Sequence, residues 1–305
     1  MRAAFSTALV NLARQDPNVL LLTGDHGYAL FDEFRKACPA QYINAGIAEQ
    51  NMVGMAAGLA RQGFRPFVYG LAAFVPIRTL EQIKLDVAHD ALPVVLLGDG
   101  AGFVYSHLGT SHQSTEDIAC TRVIPGLDVL SPADRHEMSA CMTLAYESRK
   151  AVYLRMGKAD RGDVHPGPLA PLRSGRLLQV RAGQPGLPAL IATGSMVRTA
   201  LDVAEKHLDC SVWSAPSIKP LDPQDVVAAA RSGRGVVTLE EHSTQGGLGS
   251  AIAEITSERL ATRVLRIGVP DRFSEHCGTH AYLLREHGLD LDTVQARITA
   301  FAAAE

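Results

Sequence analysis

The sequence contains no apolar run near the roughly 18 residues that a membrane span needs. It also has no surplus of positive charge: 29 Lys and Arg stand against 32 Asp and Glu, a formal net charge of −3. A nucleic-acid binder is usually basic, so neither nucleic acid nor a membrane is expected as a partner. CxxC pairs are missing. The five cysteines (Cys38, Cys120, Cys141, Cys210, Cys277) are scattered and odd in number. They argue against a disulfide frame or zinc site and for reduced core thiols in a cytoplasmic protein. The opening stretch MRAAFSTALVNLARQD lacks the basic head and apolar core of a signal peptide. No repeat of roughly 20–50 residues is visible, which removes solenoids and propellers. Asparagine is scarce: Asn11, Asn18, Asn44 and Asn51 are the only ones, and none follows residue 51.

What is present is a chain of 305 residues with 47% hydrophobic content, enough for about two domains of roughly 100–200 residues. Charged residues, at 20%, are too interspersed with apolar ones for disorder. The runs VLLLTG (19–24), PFVYG (66–70), PVVLLG (93–98), LDVLS (127–131) and AVYLR (151–155) read as buried strands. Helical patterns lie between them at 3–14, 47–62, 77–89 and 133–147, with Ser131 and Pro132 opening the last. Residues 158–188 hold five prolines and five glycines with little apolar periodicity, the composition of a linker. A second strand–helix alternation follows, from ALIATG through RVLRIG, and the last 25 residues are helical again. Strands separated by helices imply parallel sheets. The expected fold is α/β: two domains, each a mostly parallel sheet covered by helices. They are placed at 1–160 and 186–305, with a linker at 161–185.

Several chemical motifs fail on inspection. Gly98-Asp99-Gly100 could open the Mg²⁺ motif of a thiamine-diphosphate enzyme, but the asparagine that completes such a motif downstream does not exist here. A strand-to-loop turn is the better reading. Gly246-Gly247-Leu248-Gly249 opens a helix but lacks the acidic ribose-binding residue of a dinucleotide site. The loop 105–113 is richer in chemistry, with Tyr105, Ser106, His107, Thr110, Ser111 and His112 beyond a parallel strand. Solvated loop histidines explain it about as well as function does. Glu49 is the sharper case, because it lies in the first turn of a nearly all-apolar helix. The helix dipole favours an acid there. A carboxyl buried in such a segment is instead driven toward its neutral form unless a partner bonds it, and a buried acid that shares a proton with a ligand nitrogen is a catalytic device. Spacing alone does not choose between these.

The segment YINAGIAEQNMVGMAAGLARQG (42–63) resembles the pyrimidine-binding domain of the transketolase family of thiamine-diphosphate enzymes. The likeness continues through FVYGLAAFVPIRTLEQIK (67–84) and GTSHQSTEDIACTRVIPGLDVLSPAD (109–134). It returns in ATGSMV, APSIKPLD, LEEHSTQGGLGSAIAE and IGVPDRF. Nearly the whole chain is covered, in the family's order, and the nearest likeness is to the C-terminal half of a transketolase encoded separately. The resemblance implies thiamine diphosphate as cofactor, with its diphosphate and Mg²⁺ held by an N-terminal partner subunit in an α₂β₂ assembly, and self-association through both domains. It implies Glu49 as the acid at the aminopyrimidine nitrogen and His112 as a catalytic, substrate-facing histidine. Phe74, Leu71 and Ile77 line the ring slot, with Ile47 and Asp25 in the same cofactor set. The likeness places Arg2 and Arg155 at the substrate as phosphate clamps; His26, beside Asp25, and His107 are added to the substrate set from their positions in this sequence.

Departures from the common transketolases accompany the likeness. Gly100-Ala101 stands where they carry a phosphate-binding histidine. His107-Leu108-Gly109-Thr110-Ser111 replaces an acidic stretch before His112, and Leu71 and Ile77 sit where aromatics are usual. A sugar other than the ordinary pentose phosphates is the implied substrate. Three functions are therefore carried forward. The first is two-carbon ketol transfer by a two-component transketolase. The second is a 1-deoxyxylulose-5-phosphate synthase-like or 2-oxoacid dehydrogenase E1 β-like component. The third is a non-catalytic paralogue that binds or scaffolds.

Overall fold

Strand β1 (Val19–Thr23) is buried along its length, and its side chains alternate between two cores. Val19 and Leu21 pack with Phe5, Phe31 and Phe67, while Leu20 and Leu22 pack with Met52, Val68 and Ile83. Burial on both faces is why the run shows no polar alternation. The computed structural model describes residues 1–157 and 162–304, so the boundary expected at 160/161 lies outside the described residues. Five more strands follow: β2 (Tyr42–Asn44), β3 (Arg65–Leu71), β4 (Val95–Asp99), β5 (Asp128–Leu130) and β6 (Val152–Met156). The later chain adds β7 (Leu178–Arg181), β8 (Ala189–Ala192), β9 (Val212–Ser214), β10 (Ser217–Lys219), β11 (Val236–Ser243) and β12 (Val264–Val269). They form two sheets, in the orders β10-β5-β6-β4-β3-β1-β2 and β12-β11-β8-β9-β7. Only β10 against β5 and β7 against β9 run antiparallel. The expected α/β architecture of two mostly parallel, helix-covered sheets is what the chain forms.

The helices are α1 (Arg2–Gln15), α2 (Asp32–Ala37), α3 (Glu49–Arg61), α4 (Val75–Arg78), α5 (Asp117–Arg122) and α6 (Arg135–Glu147). They continue with α7 (Met196–Lys206), α8 (Pro223–Arg231), α9 (Leu248–Arg259), α10 (His280–Glu286) and α11 (Leu291–Ala303). After β1 the chain crosses to β2 on the face of Phe31 and Phe34; after β3 it crosses to β4 on the opposite face, through Val75, Ile83 and Val87. Since β1 and β3 are neighbours, their outgoing connections diverge at their carboxyl ends, the topology that opens a crevice there. Open parallel sheets place ligands at this kind of switch point. Among the described residues no helix is long and apolar enough to cross a membrane.

The structure corrects several sequence expectations. The helix expected at 77–89 starts at Val75 and is broken: α4 ends at Arg78, Leu80–Gln82 forms one short turn, and Ile83–Ala88 is π-helical. Thr79 Oγ1 donates to Val75 O at 2.6 Å across the break, an intrusion that competes with the regular ladder. Helix α6 starts beyond Ser131 and Pro132. Its cap is Asp134, whose Oδ1 accepts from the amides of His136 and Glu137. Within the stretch expected as linker, Leu178–Arg181 is an edge strand of the second sheet. Ser217–Lys219 leaves the later half altogether to extend the first sheet. Cys277 is exposed, so it is no core thiol, whereas Cys38, Cys141 and Cys210 are buried.

The segment after the undescribed residues is fastened to α6 by charge. Asp134 Oδ2 accepts from the amides of Val164 and His165, and His165 Nε2 lies 2.8 Å from the buried Glu137 carboxylate. Burial alone would lower the His165 imidazole, but its bond to Glu137, with Asp134 and Asp163 nearby, leaves it above its ordinary value. An imidazolium favoured by the fold adds stability fully below the ordinary histidine range, and loses it as pH rises through the raised folded value. Amide protection factors at Val164 and His165, corrected for intrinsic exchange, are therefore expected to fall from about pH 6 to 8. The decline should vanish in His165→Gln. A flat profile in the unmodified protein would refute the linkage.

Candidate functional site at the carboxyl ends of β1 and β3

Glu49 reaches the crevice through a short, tightly specified path. Asn44 ends β2 and its Oδ1 accepts from the amide of Gly46 at 2.9 Å. Gly46 has φ +73°, a left-handed turn that glycine adopts without Cβ strain. The chain then enters α3 at Glu49, where the helix N-terminus favours a carboxylate. Glu49 is 8% exposed. Its Oε1 accepts from Arg78 Nη1 at 2.9 Å, so the partner that burial of this acid demands is an arginine of α4.

Phe74, at the start of α4, is the centre of the site. The ring of His112 meets it edge to face with centroids 5.0 Å apart, and His26 lies tilted at 6.5 Å. The Arg78 guanidinium carbon sits 3.7 Å from the centre of the same ring. The structure thus brings together Glu49, Phe74, His112 and His26. Leu71 is buried at the end of β3 and Ile77 half-buried on α4, so both stand on the elements that frame Phe74. Asp25 is exposed at φ +60° and accepts from Tyr28 Oη at 3.0 Å. A non-glycine residue held there is strained backbone, of the kind that clusters at functional sites. His112 follows Gly109 in a short 3₁₀ turn, and its Nδ1 lies 2.9 Å from Ser111 Oγ.

Other expected site residues lie elsewhere. Ile47 is 73% exposed and packs into no core cluster among the described residues. His107 is exposed and lines a separate cavity of about 690 Å³ with Ser106, His280 and Arg285. Arg155, expected as a phosphate clamp, is 3% exposed and its guanidinium is engaged within the chain. Its Nε donates to Asp117 at 2.7 Å, and Nη2 donates to the carbonyls of Ser114 and Glu241. Arg2 is paired with Asp99, the acid of the GDG turn, which also accepts from Tyr69 and Tyr105. Part of the Arg2 side chain remains open to solvent. Gly100 turns at φ +82° directly beneath the Tyr105 ring, where a Cβ would fall 2.0 Å from a ring carbon. That contact explains the second glycine of the motif.

Sequence reasoning missed three residues. Arg78 was within reach of it, because an arginine four residues after a phenylalanine on one helix faces that ring. The other two carried no local signal. Glu241 Oε1 accepts from the amide of Phe103 at 2.6 Å, and Ser274 Oγ donates to Gln113 Oε1 at 2.8 Å. Both brace the loop that carries His112, and both come from the later half of the chain.

Comparison with known proteins gives the same picture. Residues 1–162 match the transketolase pyrimidine-binding domain and residues 188–294 the transketolase C-terminal domain. This chain belongs to the transketolase family. An apulose-4-phosphate transketolase subunit from Phocaeicola vulgatus is 35% identical over 299 residues, spanning 96% of this chain and 94% of that one. A solved split-gene transketolase, an inactive β4 tetramer, superposes with a TM-score of 0.87 at 34% identity, covering 98% of this chain and 96% of the other. The 1-deoxy-D-xylulose-5-phosphate synthase of Methylibium petroleiphilum is 38% identical over 270 residues, 87% of this chain but only 42% of that protein. Within the family, then, this chain corresponds to the separately encoded C-terminal component of a split transketolase. Members of the family use thiamine diphosphate.

The residues in the crevice suit that cofactor's ring end: a carboxyl at a helix start, beside an aromatic face, with histidines on the far edge. Among the described residues, no group of three or more His, Cys, Asp or Glu side chains is placed to hold an ion.

Proposed function

We propose that this chain is the C-terminal component of a two-component, thiamine-diphosphate-dependent transketolase that moves a two-carbon ketol unit from a ketose to an aldose. The observation that carries this reading is Glu49, buried at the switch point beside the Phe74 ring. Thiamine diphosphate supplies the nucleophilic carbon and the electron sink for cleaving the ketose. Glu49 holds a proton at the aminopyrimidine nitrogen. Phe74, with Leu71 and Ile77, would give the ring an apolar bed, with Asp25 at its border. Because Leu71 and Ile77 are aliphatic, stacking rests on Phe74 alone. His112 and His26 face the substrate end, where imidazole N–H groups suit hydroxyls and developing oxyanions. The exposed part of Arg2 stands further out toward the sugar's remote end.

The diphosphate and Mg²⁺ fall to an N-terminal partner subunit, in an α₂β₂ assembly in the cytoplasm. The Phocaeicola protein, itself one subunit of a transketolase and similar along nearly its whole length, supports that division. The likeness to an inactive β4 tetramer supports a chain that needs its partner to work. The identity to 1-deoxy-D-xylulose-5-phosphate synthases favours one second reading, a component that draws its two-carbon unit from a 2-oxoacid.

The test is reconstitution. This chain alone and mixed with the N-terminal chain would be assayed with hydroxypyruvate as donor and a panel of aldehyde acceptors. Ketol transfer is expected only in the mixture. Transfer by this chain alone would contradict the division of labour, and turnover of pyruvate in place of hydroxypyruvate would move the assignment to the second reading. A mixture inert to both donors, with the cofactor bound, would favour the non-catalytic paralogue.

A further inference from the structure

Arg78 makes two contacts that a cofactor ring would also need. Its guanidinium lies in van der Waals contact with the face of Phe74, 3.7 Å from ring centre to Cζ, and its Nη1 is 2.9 Å from Glu49 Oε1. The Glu49 side chain is 9% exposed and that of Arg78 is 49% exposed, so the cation approaches the acid from the solvent side. The backbone beneath is held. Arg78 N donates to Phe74 O at 2.8 Å, and the side-chain amide of Gln50 donates to Arg78 O at 3.1 Å. The α-carbon is therefore fixed while a long, half-exposed stem leaves the head group free to swing.

A guanidinium is planar and delocalised and presents parallel N–H donors beside a flat face. A 4-aminopyrimidine protonated at its ring nitrogen is likewise a flat, delocalised cation with an N–H donor at its edge. A ring that stacks on Phe74 and donates to Glu49 would take both positions that the guanidinium fills, and at 3.7 Å there is no room for a second layer between. We infer that Arg78 is a displaceable stand-in for the aminopyrimidine, and that the cofactor enters by expelling it, so residue 78 sets cofactor affinity. The inference rests on the proposed cofactor slot. The arrangement has a physical use: without a ring present, a buried carboxylate lacking any partner would be costly, and Arg78 removes that cost.

The experiment compares the unmodified protein with Arg78→Met, which keeps the apolar stem, and Arg78→Lys, which keeps charge but loses the flat fork. In the assembly with the N-terminal chain, thiamine diphosphate binding would be followed by calorimetry or fluorescence quenching. Arg78→Met is expected to bind about fivefold to tenfold tighter, the scale of one half-exposed ion pair plus one cation–π contact. Arg78→Lys should fall between. In the chain without cofactor, Arg78→Met should melt at a lower temperature, and adding Glu49→Gln should restore it. Unchanged or weaker binding by Arg78→Met, with normal binding by the unmodified protein, overturns the inference and makes Arg78 a wall of the slot. No binding by either protein would sink the cofactor slot itself and this inference with it.

Discussion

Glu49→Gln in the assembled two-chain enzyme is expected to lower kcat by about 10²–10⁴-fold, the span of a lost acid–base group. The substitution keeps the shape at the start of α3 and keeps an acceptor for Arg78 Nη1. It removes the acid proposed to share a proton with a ring nitrogen. The chain should fold as before, because the neutral amide leaves no buried charge unpaired at the 9%-exposed position. Parallel measurements of kcat and thermal melting therefore separate chemistry from folding. Undiminished turnover by Glu49→Gln would remove the central residue of the proposed mechanism. A large drop in melting temperature with proportionate loss of active protein would make Glu49 a structural acid instead.

The largest stability effect is expected at Arg155. Its guanidinium and the Asp117 carboxylate are 3% and 0% exposed, and Tyr153 Oη donates to the same carboxylate at 2.6 Å. Arg155→Met keeps the stem's volume but leaves Asp117 charged and unpaired in the core. It also strips donors from the carbonyls of Ser114 and Glu241. A loss of about 3–5 kcal/mol is expected from urea unfolding followed by circular dichroism, since one member of a buried pair is removed. Adding Asp117→Asn should recover part of it, because the buried charge goes while Tyr153 keeps an acceptor. A loss below about 1 kcal/mol would place Arg155 among pairs whose charges remain solvated. Because Arg155 spans Ser114 and Glu241, its loss should also loosen the loop carrying His112, raising KM more than an isolated core defect would.

The parts of this protein that could be read from the sequence share a physical property: each is encoded locally. The strands β1, β3, β4 and β6 are continuous apolar runs because both faces of a parallel sheet are covered, and composition alone reveals that. Glu49 stood out because an acid at the head of an apolar helix is locally costly. His112 stood out because a loop beyond a parallel strand carried hydrogen-bonding groups in a specific block. The short elements β2, β7 and β10 were not legible, for their three or four residues (YIN, LQVR and SIK) include polar ones and form no continuous apolar run. Nor was the break after Arg78, which arises from a side chain bonding back into the helix.

What the sequence determined by itself is the α/β class, the two-sheet plan and the family, since these follow from hydrophobic period and from motif blocks contiguous in the chain. The tertiary structure alone decided who pairs with whom. Arg78 meets Glu49 across 29 positions, Arg155 meets Asp117 across 38, and the same arginine reaches the Glu241 carbonyl across 86. An arginine's charge is the same in a phosphate clamp, in a core ion pair and over an aromatic ring. Burial and partner give it its role, and both are set by how distant strands and helices come together, which no local pattern records.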